Sequence, residues 1–346
     1  MCKSTNISDG KNSNQSKLPN PKSLIWAHST CSKDLLDKAL GDHNITAIEA
    51  DIVMGHKMND LKEVCPKQQP IMAHPPLLVS DLTFEEFIRR SLTQDYVQDQ
   101  DQQCRLRNSK HLKLDIKEQG AIELVLTTLK SLLSVHKVNV NNGDVNVNVN
   151  VNVNCHVNKL ENTIFLNADI LEGPGCRSRP LGIEAEEFIE KCLTFTDFIH
   201  QHNRDKIAMS LGWKADCRSF EGYTVEDVKK MRSIIEHYDL MGKTAGVVLA
   251  VNARVLIKDL TPFHEILKSY PTMQLLIWTG TREPPIPEFY ISRITQHFQS
   301  IGCEHQLGFD CQVSHVSSRR IASRHEVLSC ASWDMYGFRT NITLTH

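Results

Sequence analysis

From residue 24 onward, short apolar runs alternate with stretches in which apolar residues recur every three or four positions. The short runs, each bounded by polar residues, predict strands at 24–28, 45–54, 70–74, 111–117, 163–170, 206–213, 246–252 and 273–279. The longer spacing predicts helices at 32–40, 83–92, 120–133, 183–200, 224–238 and 262–270. Thr83, followed by Phe84, Glu85 and Glu86, reads as a helix N-cap with an acidic first turn. Strands separated by helices imply parallel pairing through right-handed crossovers. Eight such strands are the number that closes a barrel, so the expected fold class is α/β, a (β/α)8 TIM barrel. An open, doubly wound sheet is the second choice. It ordinarily carries a glycine-rich first strand-to-helix turn, and no GxGxxG occurs there.

Three stretches fall outside this alternation. Residues 1–21 are polar and rich in Asn, Ser and Lys, and read as a disordered leader. Residues 138–158 contain ten residues of strict Val-Asn repetition, 145–154. Their period of two imitates a strand, but the repetition reads as a low-complexity insertion in a surface loop. Residues 303–346 form a C-terminal extension without clear period. Its segment Leu307-Gly-Phe-Asp310 reads as one further strand, either a last one or one closing the barrel bottom. The barrel is thus expected over 22–302.

Composition narrows the function. Of 346 residues, 39 are Lys or Arg and 41 are Asp or Glu, a net charge of −2, which lacks the basic excess of a nucleic-acid binder. No apolar run approaches the roughly 20 residues of a membrane helix. The first residues lack a secretory apolar core, and the 11 cysteines are odd in number with no CxxC pair. These features predict a cytoplasmic protein with free thiols, or an extracellular one if the natural N-terminus lies further upstream.

Ionisable residues gather where predicted strands end, the functional face of such a barrel. His28 ends the first strand, Glu49 and Asp51 the second, His74 the third, Asp115 and Lys117 the fourth, and Asn167 and Asp169 the fifth. Side chains alternate along a strand, so each pair shares one face, leaving Ala50, Ile116 and Ala168 on the other. Buried charges need partners or a metal. Glu49, Asp51 and Asp115 offer hard oxygen ligands suited to Mg2+ or Ca2+. His28 and His74 offer an acid and a base, and Lys117 is placed to stabilise a developing anion. Lys113, Asn167, Asp169, Trp213 and Trp278 complete the mouth as candidate substrate contacts. The two tryptophans could form an apolar pocket wall or simply cap the barrel core, and the cap is the preferred reading.

Taken together, Trp26-Ala-His28, Ile48-Glu-Ala-Asp51, Met72-Ala-His-Pro-Pro76, Lys113-Leu-Asp-Ile-Lys117, Leu166-Asn-Ala-Asp-Ile170 with Gly173-Pro174, and Ser210-Leu-Gly-Trp213 resemble the menorin family. The likeness is to its short branch, which lacks the transmembrane segment of the longer one, and it spans about 24–280. That family in turn is similar to the phospholipase-C-like phosphodiesterases, including glycerophosphodiester phosphodiesterases and sphingomyelinase D enzymes. The order His28, Glu49-Ala-Asp51, His74, Asp115-Ile-Lys117 matches the sphingomyelinase D pattern. Ser29-Thr30 stands where the glycerol-type enzymes carry Arg-Gly, and Pro75-Pro76 where they usually carry Asp.

The resemblance implies that Glu49, Asp51 and Asp115 hold a divalent cation. One of His28 and His74 then attacks or activates, the other protonates the leaving oxygen, and Lys117 binds phosphoryl oxygens. The substrate implied is a small phosphodiester or lipid headgroup, cleaved by a hydrolase or lyase. The family's developmental roles imply the alternative, a non-catalytic binding or signalling module with protein partners.

Overall fold

The computed structural model describes residues 17–62, 65–92, 96–98, 104–106, 110–133, 160–177, 180–199, 201–281 and 283–314. The Val-Asn repeat and the rest of the expected insertion at 138–158 lie outside these residues, as do 1–16 and 315–346.

Aliphatic runs build a ring of eight parallel strands. In ring order these are β1 (Trp26–Ala27), β2 (Ala47–Lys57), β5 (His111–Ile116), β6 (Ile164–Glu172), β7 (Ile207–Lys214), β8 (Val247–Asn252), β9 (Gln274–Trp278) and β10 (Leu307–Asp310). The short β3 (Gln69–Met72) and β4 (Val79–Ser80) flank β2 and stand off the ring. Around it pack α1 (Lys33–Gly41), α2 (Phe84–Leu92), α3 (Gln119–Leu133), α4 (Ala185–Phe198), α5 (Val225–His237), α6 (His264–Ser269) and α7 (Glu288–Ser300). The result is an α/β, nearly closed eight-stranded parallel barrel, compatible with a TIM-like barrel.

Helix starts follow local chemistry. The Ser32 side chain accepts from the Leu35 N–H, Thr83 Oγ1 accepts from the Glu86 N–H, and Thr224 with Asp227 forms a reciprocal capping box.

Two expectations about the strands are corrected. The run at 70–74 is not a barrel stave: β3 runs antiparallel to β2, with Ile52 opposite Met72 and Gly55 opposite Gln69. Only eleven residues, 58–68, connect β2 to β3, and a parallel crossover needs a dozen or more. The eighth stave is instead β10, parallel to β9, from within the expected C-terminal extension. Helix α7, which supplies the connection, has no counterpart among the helices predicted from spacing.

Strand alternation divides the barrel into two cores. Trp26, Ala47, Phe165, Ala208, Val248 and Leu276 fill the barrel's lower interior, joined by Leu18 from within the expected leader. Their strand neighbours Ala27, Ile48, Leu166, Met209, Leu249 and Leu275 pack outward against the helices. Gly246 has φ +148° and no room for a side chain, because Leu18 Cδ1 lies 2.9 Å from where a Cβ would stand.

His111, at the start of β5, gives the barrel a pH dependence. Its Nδ1 accepts a 3.0 Å hydrogen bond from the Thr163 N–H. Burial first, and then Lys206, pushes its pKa down to about 4. The unfolded chain binds a proton near the ordinary value of about 6.5, so stability is full above that pH and falls as pH drops towards 4. We expect a loss of about 2 kcal/mol over this window, less than the full shift because the ring keeps some solvent contact. The isosteric acceptor in His111→Asn keeps the bond without the titration. Urea unfolding from pH 7 to pH 4 is expected to show a shallower slope for the variant; parallel curves would refute the assignment.

Candidate functional site

The upper half of the barrel interior is polar. Continuing the alternation of Ala47, β2 turns Glu49 and Asp51 inward while Ala50 packs outward. In β5 and β6, Asp115, Asn167 and Asp169 face in, and Ile116 and Ala168 face out. Register then brings the polar residues together across strands: Glu49 lies opposite Lys113, Asp51 opposite Asp115, Asp115 opposite Asn167, and Asp169 opposite Gly212. Ligand atoms of Glu49, Asp51 and Asp115 lie within 4.8 Å of one another, and all three residues are buried.

Lys117, just past β5, is the counter-charge at this level. Its Nζ stands 2.7 Å from Asp115 Oδ2 and 2.9 Å from Asp51 Oδ1. Burial resists its charge, but Asp115, Asp51, Asp169 and Glu49 outweigh burial and hold its pKa well above the usual lysine value. For Asp115, burial pushes the carboxyl up, while Lys117 and Lys113 together bring it below the usual range. Burial raises Glu49, with His28 partly offsetting and Asp51 adding to the rise. Asp169 is likewise raised, chiefly by burial. One strand over, the Ser210 hydroxyl hydrogen-bonds Asn167 Oδ1 at 2.6 Å. Gly212 is a requirement of this packing: a Cβ there would collide with Asp169 Oδ1.

His28 meets the carboxylates from the other side. Its Nδ1 lies 2.8 Å from Asp310 Oδ2 and 3.1 Å from Glu49 Oε2. The turn after β1 fixes Glu49 further, because the Ser29 N–H donates to Glu49 Oε2 at 2.6 Å. Ser29 adopts φ +53° to do so. Cys31 Sγ lies 4.0 Å from Asp51 Oδ2, and burial, then Asp51 and Glu49, pushes its thiol pKa far up. It is a poor nucleophile. Cys31, Cys65, Cys176, Cys192, Cys217, Cys303 and Cys311 are free thiols.

The fold thus brings Glu49, Asp51, Asp115, Lys117, His28, Lys113, Asn167 and Asp169 into one interior. His74, in the turn between β3 and β4, hydrogen-bonds instead to the carbonyl of Pro75 at 2.7 Å. The half-buried Trp278 shares the inward parity of Leu276. Trp213 does not join: it has the parity of Met209 and Leu211, and packs on the helix side against Tyr223 and Phe263. Among the described residues, Asp310 is the functional neighbour that strand-end reasoning missed. Its signal is an apolar run ending in a carboxylate, in a segment that reads either as a last strand or as one closing the barrel bottom. No helix among the described residues is long and apolar enough to cross a membrane.

Human protein FAM151B is 25% identical over 263 residues, 75% of this chain and 74% of that protein. No solved structure matches. The sequence model of the Menorin N-terminal domain matches residues 20–155 and 150–301, which include every strand of the barrel except β10. The chain belongs to the menorin family.

Proposed function

We propose that the barrel mouth is a divalent-cation site of the phosphodiesterase type, acting on a phosphodiester. The observation carrying this reading is the trio of buried carboxylates within 4.8 Å of one another. Charge balance supports it. Glu49, Asp51, Asp115, Asp169 and Asp310 face two lysines, Lys113 and Lys117, and one histidine. An interior with surplus negative charge favours either protonation or a cation.

The donor set, all carboxylate oxygens, fits Mg2+ or Ca2+. Glu49, Asp51 and Asp115 would hold the ion, which supplies Lewis-acid polarisation of a phosphoryl oxygen. Lys117 contributes a fixed positive charge beside that position, and His28 a nitrogen for proton transfer or attack. His74 would reach the substrate from the rim. The second reading, a non-catalytic binding or signalling module, draws on Lys117: its ammonium already bridges Asp51 and Asp115, as a cation would.

Two measurements test the proposal. With Mg2+ or Ca2+ at about 100 times its Kd, the fold is expected to gain about 2.7 kcal/mol. Asp51→Asn is expected to lose that gain, and an equal response in both proteins would remove the site. Metal-loaded protein is then assayed on glycerophosphodiesters and lysophospholipids. Cation binding without cleavage would favour the binding module.

A further inference from the structure

We infer that His264 and His297 form a second cation site, a two-imidazole clip for a borderline transition metal such as Zn2+, set in the helical layer and independent of the carboxylates in the barrel mouth. It does not rest on the proposed function.

The two histidines come from different elements. His264 opens α6, and His297 lies in the last turn of α7. They meet head to head, with Nε2 2.5 Å from Nε2 and the ring centroids 4.7 Å apart. The fully buried Phe298 ring stands edge-to-face against both, at 6.3 Å from His264 and 5.4 Å from His297. That packing orients the pair from the core side.

At this separation the two Nε2 atoms share a single proton, donated by one ring and accepted by the other. Both nitrogens therefore aim at one point between them, the arrangement that a cation with imidazole ligands requires. A cation that takes both Nε2 lone pairs sends the shared proton to Nδ1 of its own ring, and both rings stay neutral. Zn–N bonds of about 2.1 Å at a tetrahedral angle set two nitrogens about 3.4 Å apart, so the rings part by about 0.9 Å. Both side chains are half-buried rather than enclosed, which leaves room for that movement. Burial, the main cause, holds both rings below the usual histidine value, in the neutral form that binds metal.

The surrounding charges are mixed. Asp259, just before α6, acts on both rings, and its Oδ1 accepts from the Thr261 N–H at 2.9 Å and the Thr261 hydroxyl at 2.7 Å. Lys268 opposes a cation from α6 and Arg293 from α7, each one turn from its histidine. Two protein nitrogens leave the remaining positions to water, so the site is open to exchange. Its chemistry differs from that of the mouth: imidazole suits Zn2+, Ni2+ or Cu2+, whereas three carboxylates suit Mg2+ or Ca2+.

Calorimetric titration of chelator-stripped, full-length protein with Zn2+, in excess Mg2+ to occupy carboxylate oxygens, tests this. The wild type is expected to bind one equivalent more than His264→Gln or His297→Gln, and the double variant to lose no more than either alone. A single remaining ring is expected to hold Zn2+ ~10-fold or more weakly, at least the cost of losing an outer-shell partner. Zinc-edge X-ray absorption of the wild type at one equivalent is expected to show two imidazole nitrogens with oxygen. Equal binding by the wild type and both variants would overturn the inference and leave the pair as a hydrogen bond between two helices. So would a loss confined to one variant, or fewer than two imidazoles at the zinc. Should a variant fail to fold, the wild-type absorption spectrum decides alone. Asp51→Asn is expected to bind Zn2+ at the clip as the wild type does, so failure of this site and failure of the mouth site are read from different variants.

Discussion

Lys117→Met is expected to destabilise the protein by about 3 kcal/mol at neutral pH, the lower end of what removing one partner from a buried ion pair does. The lower end applies because a quarter of the lysine side chain remains exposed. Methionine keeps the length of the stem and removes only the charge that Asp51 and Asp115 contact at 2.9 and 2.7 Å. The loss has a pH signature. In the wild type, Lys117 helps hold Asp115 below the usual carboxylate range, a contribution present at neutral pH and lost as pH falls through the depressed pKa. Without the lysine, burial and the neighbouring carboxylates raise these groups, so the variant loses stability as pH rises. Wild type and variant are therefore expected to approach one another in urea unfolding only as pH falls below the usual carboxylate range, and to diverge increasingly towards pH 7. Under the proposed cation site, Mg2+ or Ca2+ is also expected to stabilise the variant more than the wild type, because no ammonium competes for the carboxylates. A pH-independent difference would mean that Lys117 acts through packing rather than charge.

The arrangement behind this prediction was legible in residues 47–169. Strand parity alone separated Glu49 from Ala50, Asp115 from Ile116 and Asn167 from Ala168, because a half-polar interior forces a strict period of two. Parallel register, which no single strand carries, then decided which charges meet. At two places local pattern and long-range topology diverge. The run before His74 has the composition of a stave, yet its short connections fold it back along β2. Conversely, Leu307–Asp310 reads as a strand, but four residues carry no periodicity that places it in the ring; its place follows from α7 and from pairing with β9. Asp310 joins the site only through that placement.

Trp213 shows what parity decides when it is applied to every strand. Ser210 and Gly212 share the inward face of β7, so Trp213 must point to the helices, although it stands at a strand end like the site residues. There its ring lies 5.4 Å from Tyr223 and 6.0 Å from Phe263, the latter edge-on at 87°. Tyr223 and Phe263 complete the triangle at 5.5 Å, and the Tyr223 hydroxyl accepts from the Asn252 N–H at the end of β8. Truncating a fully buried aromatic of this kind removes both transfer energy and contacts that the surroundings cannot restore. Trp213→Ala is expected to destabilise the fold by about 4 kcal/mol and to lower Tm by about 10 °C. A double-mutant cycle with Phe263→Ala is expected to show coupling of about 1 kcal/mol, as for an edge-to-face pair. A tryptophan in the wall of an open mouth would behave in the opposite way. Its removal would leave Tm nearly unchanged and weaken ligand binding, so calorimetric melting of this one variant separates the core from the pocket.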